Sequence, residues 1–168
     1  MLIEFRVKNY RSIRDLQTLS TVASKRDEHP NNLFSTEYGL NLVRSAAIYG
    51  PNASGKSNII RGLYFMRHMI LKSYQKSQQG EKIPVESFLF DKETQKQPSM
   101  FEVTFIKDKV KYQYGFALDQ DKVCEEWLYD YPNKKQRILI ERIYIDNKGK
   151  YEWRNPSLLG HKNEKDLW

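Results

Sequence analysis

The sequence has little of what disulfide frameworks, metal centres and membrane spans require. Its single cysteine, Cys124, has no partner for an intramolecular disulfide, and its three histidines, His29, His68 and His161, are too scattered for a metal site. No apolar run approaches the roughly 20 residues of a membrane helix, and charges interrupt the apolar N-terminus, which excludes a signal peptide. We therefore expect a cytoplasmic protein without membrane attachment, in which Cys124 is a structural thiol.

Acidic residues are scarce in the first half of the chain. Residues 1–80 contain 12 Lys and Arg against 5 Asp and Glu, whereas residues 81–168 contain 16 of each, so the net charge of +7 lies entirely in the first half. A basic field of this kind suits either the phosphates of a nucleotide or a nucleic-acid backbone, although a merely solvated basic surface has the same composition. Charge alone does not choose among the three.

A glycine-rich stretch in the basic half indicates a specific chemistry. Residues 50–57, GPNASGKS, match the P-loop pattern G-x-x-x-x-G-K-[ST] without a mismatch. The preceding residues 42–49, LVRSAAIY, are apolar and of strand length, and residues 57–74 repeat apolar side chains at helical spacing. Because strand, P-loop and helix are the order that the pattern requires, the sequence predicts a triphosphate site.

Each residue type in the P-loop has a physical reason to be there. Gly50 permits a sharp exit from the strand, and small residues let backbone N–H groups close around a phosphate. We expect Lys56 to reach the β- and γ-phosphates, Ser57 to ligate Mg²⁺, and the helix to add its positive dipole end. A glycine turn that only caps a helix would need neither of these side chains. The residues predicted to hold the phosphates are Gly50, Pro51, Asn52, Ala53, Ser54, Gly55, Lys56, Ser57 and Asn58.

The N-terminus narrows the class of nucleotide-binding protein. Residues 2–9, LIEFRVKN, alternate as a half-buried strand does, and residues 14–20 are predicted to pair with them. Together with the P-loop, this opening resembles that of ABC-type ATPases of the SMC and RecF group. It is still more similar to the smaller bacterial AAA-labelled ATPases of abortive-infection and anti-phage systems, including those near the OLD family. The motifs that carry the resemblance are KNYRS (8–12) and GPNASGKSN (50–58).

The resemblance implies a function and two more site residues. In that group an Arg or Lys of the early motif lies near the nucleotide phosphates, a role that would fall to Arg11, with Ser12 beside it. The alternative for Arg11 is a solvated turn residue. The resemblance further implies ATP and Mg²⁺ as ligands, a homo-oligomer that forms through the nucleotide face, and an effector nuclease or toxin as partner. The biological setting would be anti-phage defence or DNA maintenance, with DNA as a further candidate partner.

The rest of the chain completes an α/β (α+β) prediction. Residues 101–107, 110–118, 123–131, 136–145 and 150–155 alternate as the strands of an antiparallel β-meander do. We predict an ABC/SMC-like N-terminal lobe, in which residues 1–80 form the nucleotide-binding core with its hairpin, P-loop and helix. Residues 81–168 are predicted to form an antiparallel β subdomain packed on that core. Its alternating aromatic rings favour the inward face of a sheet over a stacking surface for nucleic acid.

The residues that would hydrolyse ATP are not found in the sequence. Hydrolysis needs an acidic residue at a strand end to hold Mg²⁺ through water, and only weak imitations end in Asp91, Glu141 and Asp146. The S-G-G signature of ABC-type dimers and a late switch histidine are also absent. We therefore expect no catalytic residue in this chain. We interpret it as the N-terminal lobe of a longer ATPase, inactive alone.

Two alternatives remain open. The first is a binding module without catalysis, which would hold ATP or nucleic acid and switch a partner. The second is a nucleotide kinase or GTPase, which is disfavoured by the late position of the P-loop, the β-meander and the lack of an N-K-x-D guanine motif.

Overall fold

A large antiparallel sheet and one long helix dominate the structure, a computed structural model that describes residues 1–24, 29–52, 54–76 and 82–154. The strands are β1 (Leu2–Lys8), β2 (Gln17–Ser20), β3 (Leu33–Ser35), β4 (Asn41–Val43), β5 (Ser99–Lys107), β6 (Val110–Leu118), β7 (Val123–Asp130), β8 (Arg137–Ile145) and β9 (Lys150–Arg154). The helices are α1 (Lys56–Lys76) and the short α2 (Lys92–Gln95), with 3₁₀ turns at 30–32, 132–134 and 146–148. The predicted mixed α/β class is confirmed. Within the described ranges no helix has the length and apolarity to span a membrane.

The main sheet has seven strands in the order β2-β1-β5-β6-β7-β8-β9, and every neighbouring pair is antiparallel. The N-terminal hairpin and the meander are both present as predicted. They are parts of one sheet, because β1 pairs with β5 along its length. The hairpin β3–β4 forms a separate two-stranded sheet.

Helix α1 packs on one face of the sheet through the apolar stripe that predicted it. At Gly62 the helix approaches β1 so closely that an added Cβ would lie 3.4 Å from Phe5 Cζ and 3.5 Å from Val7 Cγ2. Burial of the apolar side chains at this interface stabilises the fold. The buried core at this interface, which includes Met66 of α1, consists of Phe5, Val7, Tyr10, Ile13, Met66, Val85, Phe101, Phe116 and Leu118.

The aromatic residues of the meander lie on both faces of the sheet. Phe101 and Phe116 are buried under α1, as predicted. Trp127 lies on the opposite face, where its ring covers Gly115 and its Nε1 donates to Glu102 at 3.0 Å. Trp127 lies on this face because a β-bulge interrupts the regular alternation of β7. Leu118 pairs with Val123 and Ala117 with Glu125, so the alternation of β7 changes face at the residue between them.

That extra residue is Cys124, the only cysteine of the chain. Its side chain is half-buried, and its Sγ lies 3.6 Å from Asp119 Oδ2. Burial, with the neighbouring Asp119 carboxylate, raises the pKa of the Cys124 thiol to about 11. The thiol is therefore protonated at neutral pH, which agrees with a structural role.

The strand predicted over residues 42–49 is shorter than expected. Strand β4 ends at Val43, and residues 45–50 have no regular secondary structure. Asn32 holds the chain at this point, since its backbone O accepts from Arg44 N and its Oδ1 from Ser45 N. No strand among the described residues pairs with residues 44–49, so the apolar run lacks the neighbour that a strand requires. Tyr49 is in consequence 89% exposed beside the P-loop.

Candidate phosphate-binding site

The P-loop leads directly into the first turn of α1. The helix begins at Lys56, and the first N–H groups of any helix lack carbonyl partners within it. No acidic residue lies in this first turn to offset the positive end of the helix dipole. The N-terminus of α1 therefore favours an anion at the P-loop.

The ammonium group of Lys56 lies within the curve of the P-loop. Its Nζ donates to the carbonyl oxygen of Gly50 at 2.7 Å and to that of Pro51 at 2.6 Å. The hydroxyl oxygen of Ser54 is 3.5 Å away. The positive charge of Lys56 is thus held at the P-loop by the loop's own backbone.

Two positions of the P-loop have little room for a side chain. An added Cβ at Gly50 would lie 3.0 Å from Ser54 Oγ, and one at Gly55 would lie 3.1 Å from Ser12 Oγ. Gly55 also has a φ of +89°, a conformation that residues with a Cβ rarely adopt. The sequence pattern therefore corresponds to steric requirements of this loop.

The donor groups at the loop fit Mg²⁺ only as a companion of phosphates. The Ser57 hydroxyl is exposed in the first turn of α1. The described residues contain no group of three or more His, Cys, Asp or Glu side chains that could hold a metal ion. Mg²⁺ bound through few protein ligands keeps waters and phosphate oxygens around it, so a single hydroxyl is compatible with this ion.

The N-terminal turn (residues 9–14) packs against the P-loop through one side chain. Asn58 Nδ2 donates to Ser12 Oγ at 2.7 Å, and the same hydroxyl faces Gly55. Arg61 Nη1 in turn donates to Asn58 Oδ1 at 3.4 Å. The structure thus brings together Ser12 and Asn58, which the sequence separates by 46 positions.

Arg11 adopts a left-handed backbone conformation in this turn, with a φ of 53°. Its N–H donates to the carbonyl oxygen of Glu86 at 2.8 Å, and its guanidinium forms an ion pair with the Glu86 carboxylate at 2.5 Å. The guanidinium also lies 5.6 Å from the centre of the Tyr10 ring. Burial raises the pKa of Tyr10, which keeps this phenol neutral. Arg11 is therefore a bridge between the N-terminal turn and residue 86, and its contact with phosphates remains a prediction.

Asn9 is an important residue that the sequence analysis did not single out. It is fully buried, with a φ of 52°. Its Nδ2 donates to the carbonyl oxygens of Thr94 at 2.8 Å and Gln97 at 2.7 Å, and its Oδ1 accepts from Phe88 N at 2.9 Å. The available signal was an Asn directly after an alternating strand, because Asn tolerates the left-handed conformation and bonds to nearby backbone.

The three acidic residues considered for hydrolysis have other contacts. Asp91 caps α2 by accepting from Glu93 N and Thr94 N, each at 3.3 Å. Glu141 accepts from the Tyr129 hydroxyl at 2.8 Å in the middle of β8, and Asp146 pairs with Lys122 in the turn before β9. These contacts suffice to explain why an acid stands at each position.

The residues predicted to hold the phosphates also include Asn52 and Ala53. Asn52 is exposed in the turn of the P-loop. Ala53 lies outside the described residues.

Comparison with known proteins identifies one family. A family model described as AAA domain, putative AbiEii toxin, Type IV TA system matches residues 45–157, which is more than half of the chain. The match includes the P-loop, α1 and the strands from β5 to β9, and it begins after the N-terminal turn. No curated protein matches the chain.

Proposed function

The chain belongs to the family of AAA domains described as putative AbiEii toxins of type IV toxin–antitoxin systems, and from this premise we propose that it binds ATP with Mg²⁺ through residues 50–58. It is a P-loop ATPase domain of the AAA and abortive-infection type. The observation that carries the proposal is the position of the Lys56 ammonium, held by the carbonyls of Gly50 and Pro51 at the start of a helix without an acidic first turn.

Each residue has a distinct part in this proposal. Lys56 gives up its two carbonyl contacts and binds the β- and γ-phosphates, and the N–H groups at the start of α1 surround the phosphate oxygens. The Ser57 hydroxyl holds Mg²⁺, which neutralises charge between the phosphates when bound. Ser12 and Asn58 fix the P-loop against the N-terminal turn. Arg11, on the same turn, stays paired with Glu86, so this carboxylate does not repel the phosphates.

Replacement of Ser57 by Ala tests the role of the metal. In the wild type we expect Mg²⁺ to raise the affinity for ATP roughly tenfold over that in EDTA, because a charged ligand contact of this kind contributes about 1.5 kcal/mol. The Ser57→Ala variant should lose most of this gain and keep its affinity in EDTA. Calorimetric titration with and without Mg²⁺ measures both, with Ser24→Ala as a control at an exposed serine. The same Mg²⁺ gain in all three proteins would contradict the assignment.

We further propose that ATP joins two copies through the nucleotide face and thereby controls an effector. Support comes from the similarity to SMC and RecF-type ATPases and from the exposed apolar side chains of Ile48 and Tyr49 beside the P-loop. In sedimentation velocity, the mass of the protein should double with ATP and Mg²⁺ and should remain that of a monomer with ADP. An unchanged mass with ATP bound would refute dimerisation by this chain.

A non-catalytic binding module is the second candidate function. The observation that favours it is that the three acidic residues considered for hydrolysis form hydrogen bonds or an ion pair with other residues of the chain. These three are Asp91, Glu141 and Asp146. Its ligand would be a nucleotide or a nucleic acid, bound to switch a partner. Release of phosphate from ATP by the purified 168-residue chain, abolished in Lys56→Ala, would exclude it.

A further inference from the structure

An exposed aromatic ring stands on a short loop after α1. Phe90 is 91% exposed, and its neighbour Leu89 is 69% exposed. Both belong to residues 86–91, the Phe90 loop, which connects buried Val85 with α2. A large apolar side chain that is left almost entirely in water is an unfavourable use of a ring that burial would stabilise.

Hydrogen bonds nevertheless hold the backbone of the Phe90 loop on both sides of Phe90. Phe88 N donates to the buried Asn9 side chain at 2.9 Å, and Gln95 Nε2 donates to the carbonyl oxygen of Leu89. Asp91 follows directly as the N-cap of α2. The Phe90 ring also contacts Phe88 edge to face, with centroids 5.7 Å apart. The ring is therefore exposed on an ordered support, which lowers the entropic cost of binding a ligand.

The Phe90 loop and the P-loop both contact the N-terminal turn (residues 9–14). Arg11 donates to the carbonyl oxygen of Glu86 at the start of the Phe90 loop, and the next residue, Ser12, contacts Asn58 and Gly55. The Phe90 loop thus borders the same N-terminal turn that borders the phosphate site. A nucleotide whose phosphates lie in the P-loop extends beyond them by a ribose and a base.

The charge at this border suits a neutral base. The Glu86 carboxylate would repel a nucleotide, but the Arg11 guanidinium neutralises it at 2.5 Å. Phenylalanine carries no hydrogen-bonding group, so it offers only the face of a ring. Every nucleobase has a π-face that stacks on such a ring, irrespective of its exocyclic groups.

We propose that Phe90 is the stacking platform of a nucleobase subsite, which holds the purine of a nucleotide whose phosphates are bound by the P-loop. The proposal rests on the proposed function and adds to it the residue that binds the base. Because stacking on Phe90 reads no base edge, this residue contributes affinity and does not distinguish adenine from guanine.

Two ligands separate the base from the phosphates: ATP, and inorganic tripolyphosphate, which has no base. Both are titrated with Mg²⁺ by calorimetry into the wild type, Phe90→Ala, Phe90→Trp and the control Leu89→Ala. In Phe90→Ala we expect roughly tenfold weaker binding of ATP and unchanged binding of tripolyphosphate, because a stacked base contributes about that factor. Leu89→Ala should bind both ligands as the wild type does. Phe90→Trp should bind ATP as tightly as the wild type does. The fluorescence of the introduced tryptophan should fall when ATP binds but not when tripolyphosphate binds.

Each other outcome overturns a defined part of the proposal. Wild-type ATP affinity in Phe90→Ala, or an equal loss for both ligands, refutes the base subsite and leaves the P-loop function intact. A Phe90→Ala variant with normal ATP affinity and impaired self-association places the ring at an interface between copies, which also refutes the subsite. A wild type that binds neither ligand refutes the proposed function itself. Since Phe90 is almost fully exposed, its replacement should leave the thermal unfolding midpoint unchanged.

Discussion

Replacement of Lys56 by Ala is expected to weaken ATP binding at least about 100-fold, which corresponds to about 2.7 kcal/mol. The variant loses the only side-chain cation of the P-loop, and charge-assisted contacts to phosphate are the strongest that such a site makes. Lys56→Arg should not restore binding, because a planar guanidinium cannot take the place of an ammonium held between the Gly50 and Pro51 carbonyls. Calorimetry with ATP and Mg²⁺ gives all three affinities.

A matched control separates this effect from a change in net charge. Lys107→Ala removes an exposed lysine at the end of β5, so it alters the net charge equally and should bind ATP as the wild type does. The carbonyls that Lys56 leaves are near the surface and can bind water, so the unfolding midpoint of Lys56→Ala should change little. Equal affinities in Lys56→Ala and Lys107→Ala would refute the proposed site.

Replacement of Asn9 by Ala is expected to lower the free energy of unfolding by about 3 to 5 kcal/mol, a large part of a small domain's stability. The variant leaves the Thr94 and Gln97 carbonyls and the Phe88 N–H without their buried partner. It also places a Cβ-bearing residue without a polar side chain at a φ of 52°. Urea unfolding followed by circular dichroism measures the difference.

Two comparison variants divide this effect into its parts. Asn133 is exposed and has nearly the same φ, 53°. Its side chain makes no hydrogen bond within the described part of the chain. Asn133→Ala therefore reports only the cost of placing Ala in the left-handed backbone conformation, about 1 kcal/mol. Asn9→Gly removes the same hydrogen bonds without backbone strain and should still cost about 2 to 4 kcal/mol. If Asn9→Gly is as stable as the wild type, the three hydrogen bonds do not hold the fold together. Asn9→Gly also serves as the test if Asn9→Ala does not fold.

The parts of the fold that local patterns determine could be predicted from the sequence. Helix α1 was predicted for residues 57–74 and spans Lys56–Lys76, because its apolar stripe repeats at the helical period. The meander was predicted because each strand alternates between turns. The strand predicted over residues 42–49 depended on neighbours elsewhere in the sheet, which a local pattern does not report, and β4 ends at Val43.

The candidate site divides in the same way. The P-loop has a linear pattern, so its residues could be named from the sequence. The contact between Ser12 and Asn58 and the three hydrogen bonds of the Asn9 side chain join residues 46 to 88 positions apart. Such contacts become visible only when the fold brings the start of α1 and the Phe90 loop against the N-terminal turn. The face of the sheet on which Trp127 lies could not be predicted either. A single bulge at Cys124 reverses which side chains of β7 point to each face, and the sequence pattern does not reveal the bulge.

The pairing of β1 with β5 has a consequence for how the chain acquires its structure. Arg6 and Glu102, which pair in these two strands, are 96 positions apart, and the P-loop and α1 lie between them. Contacts this distant in sequence slow folding, since the loop must close before the pairing stabilises it. On the ribosome, β1 cannot form its pairing with β5 until β5 has been synthesised. We therefore expect the P-loop to reach its final geometry late, and ATP to stabilise the completed lobe without accelerating the early steps of its folding.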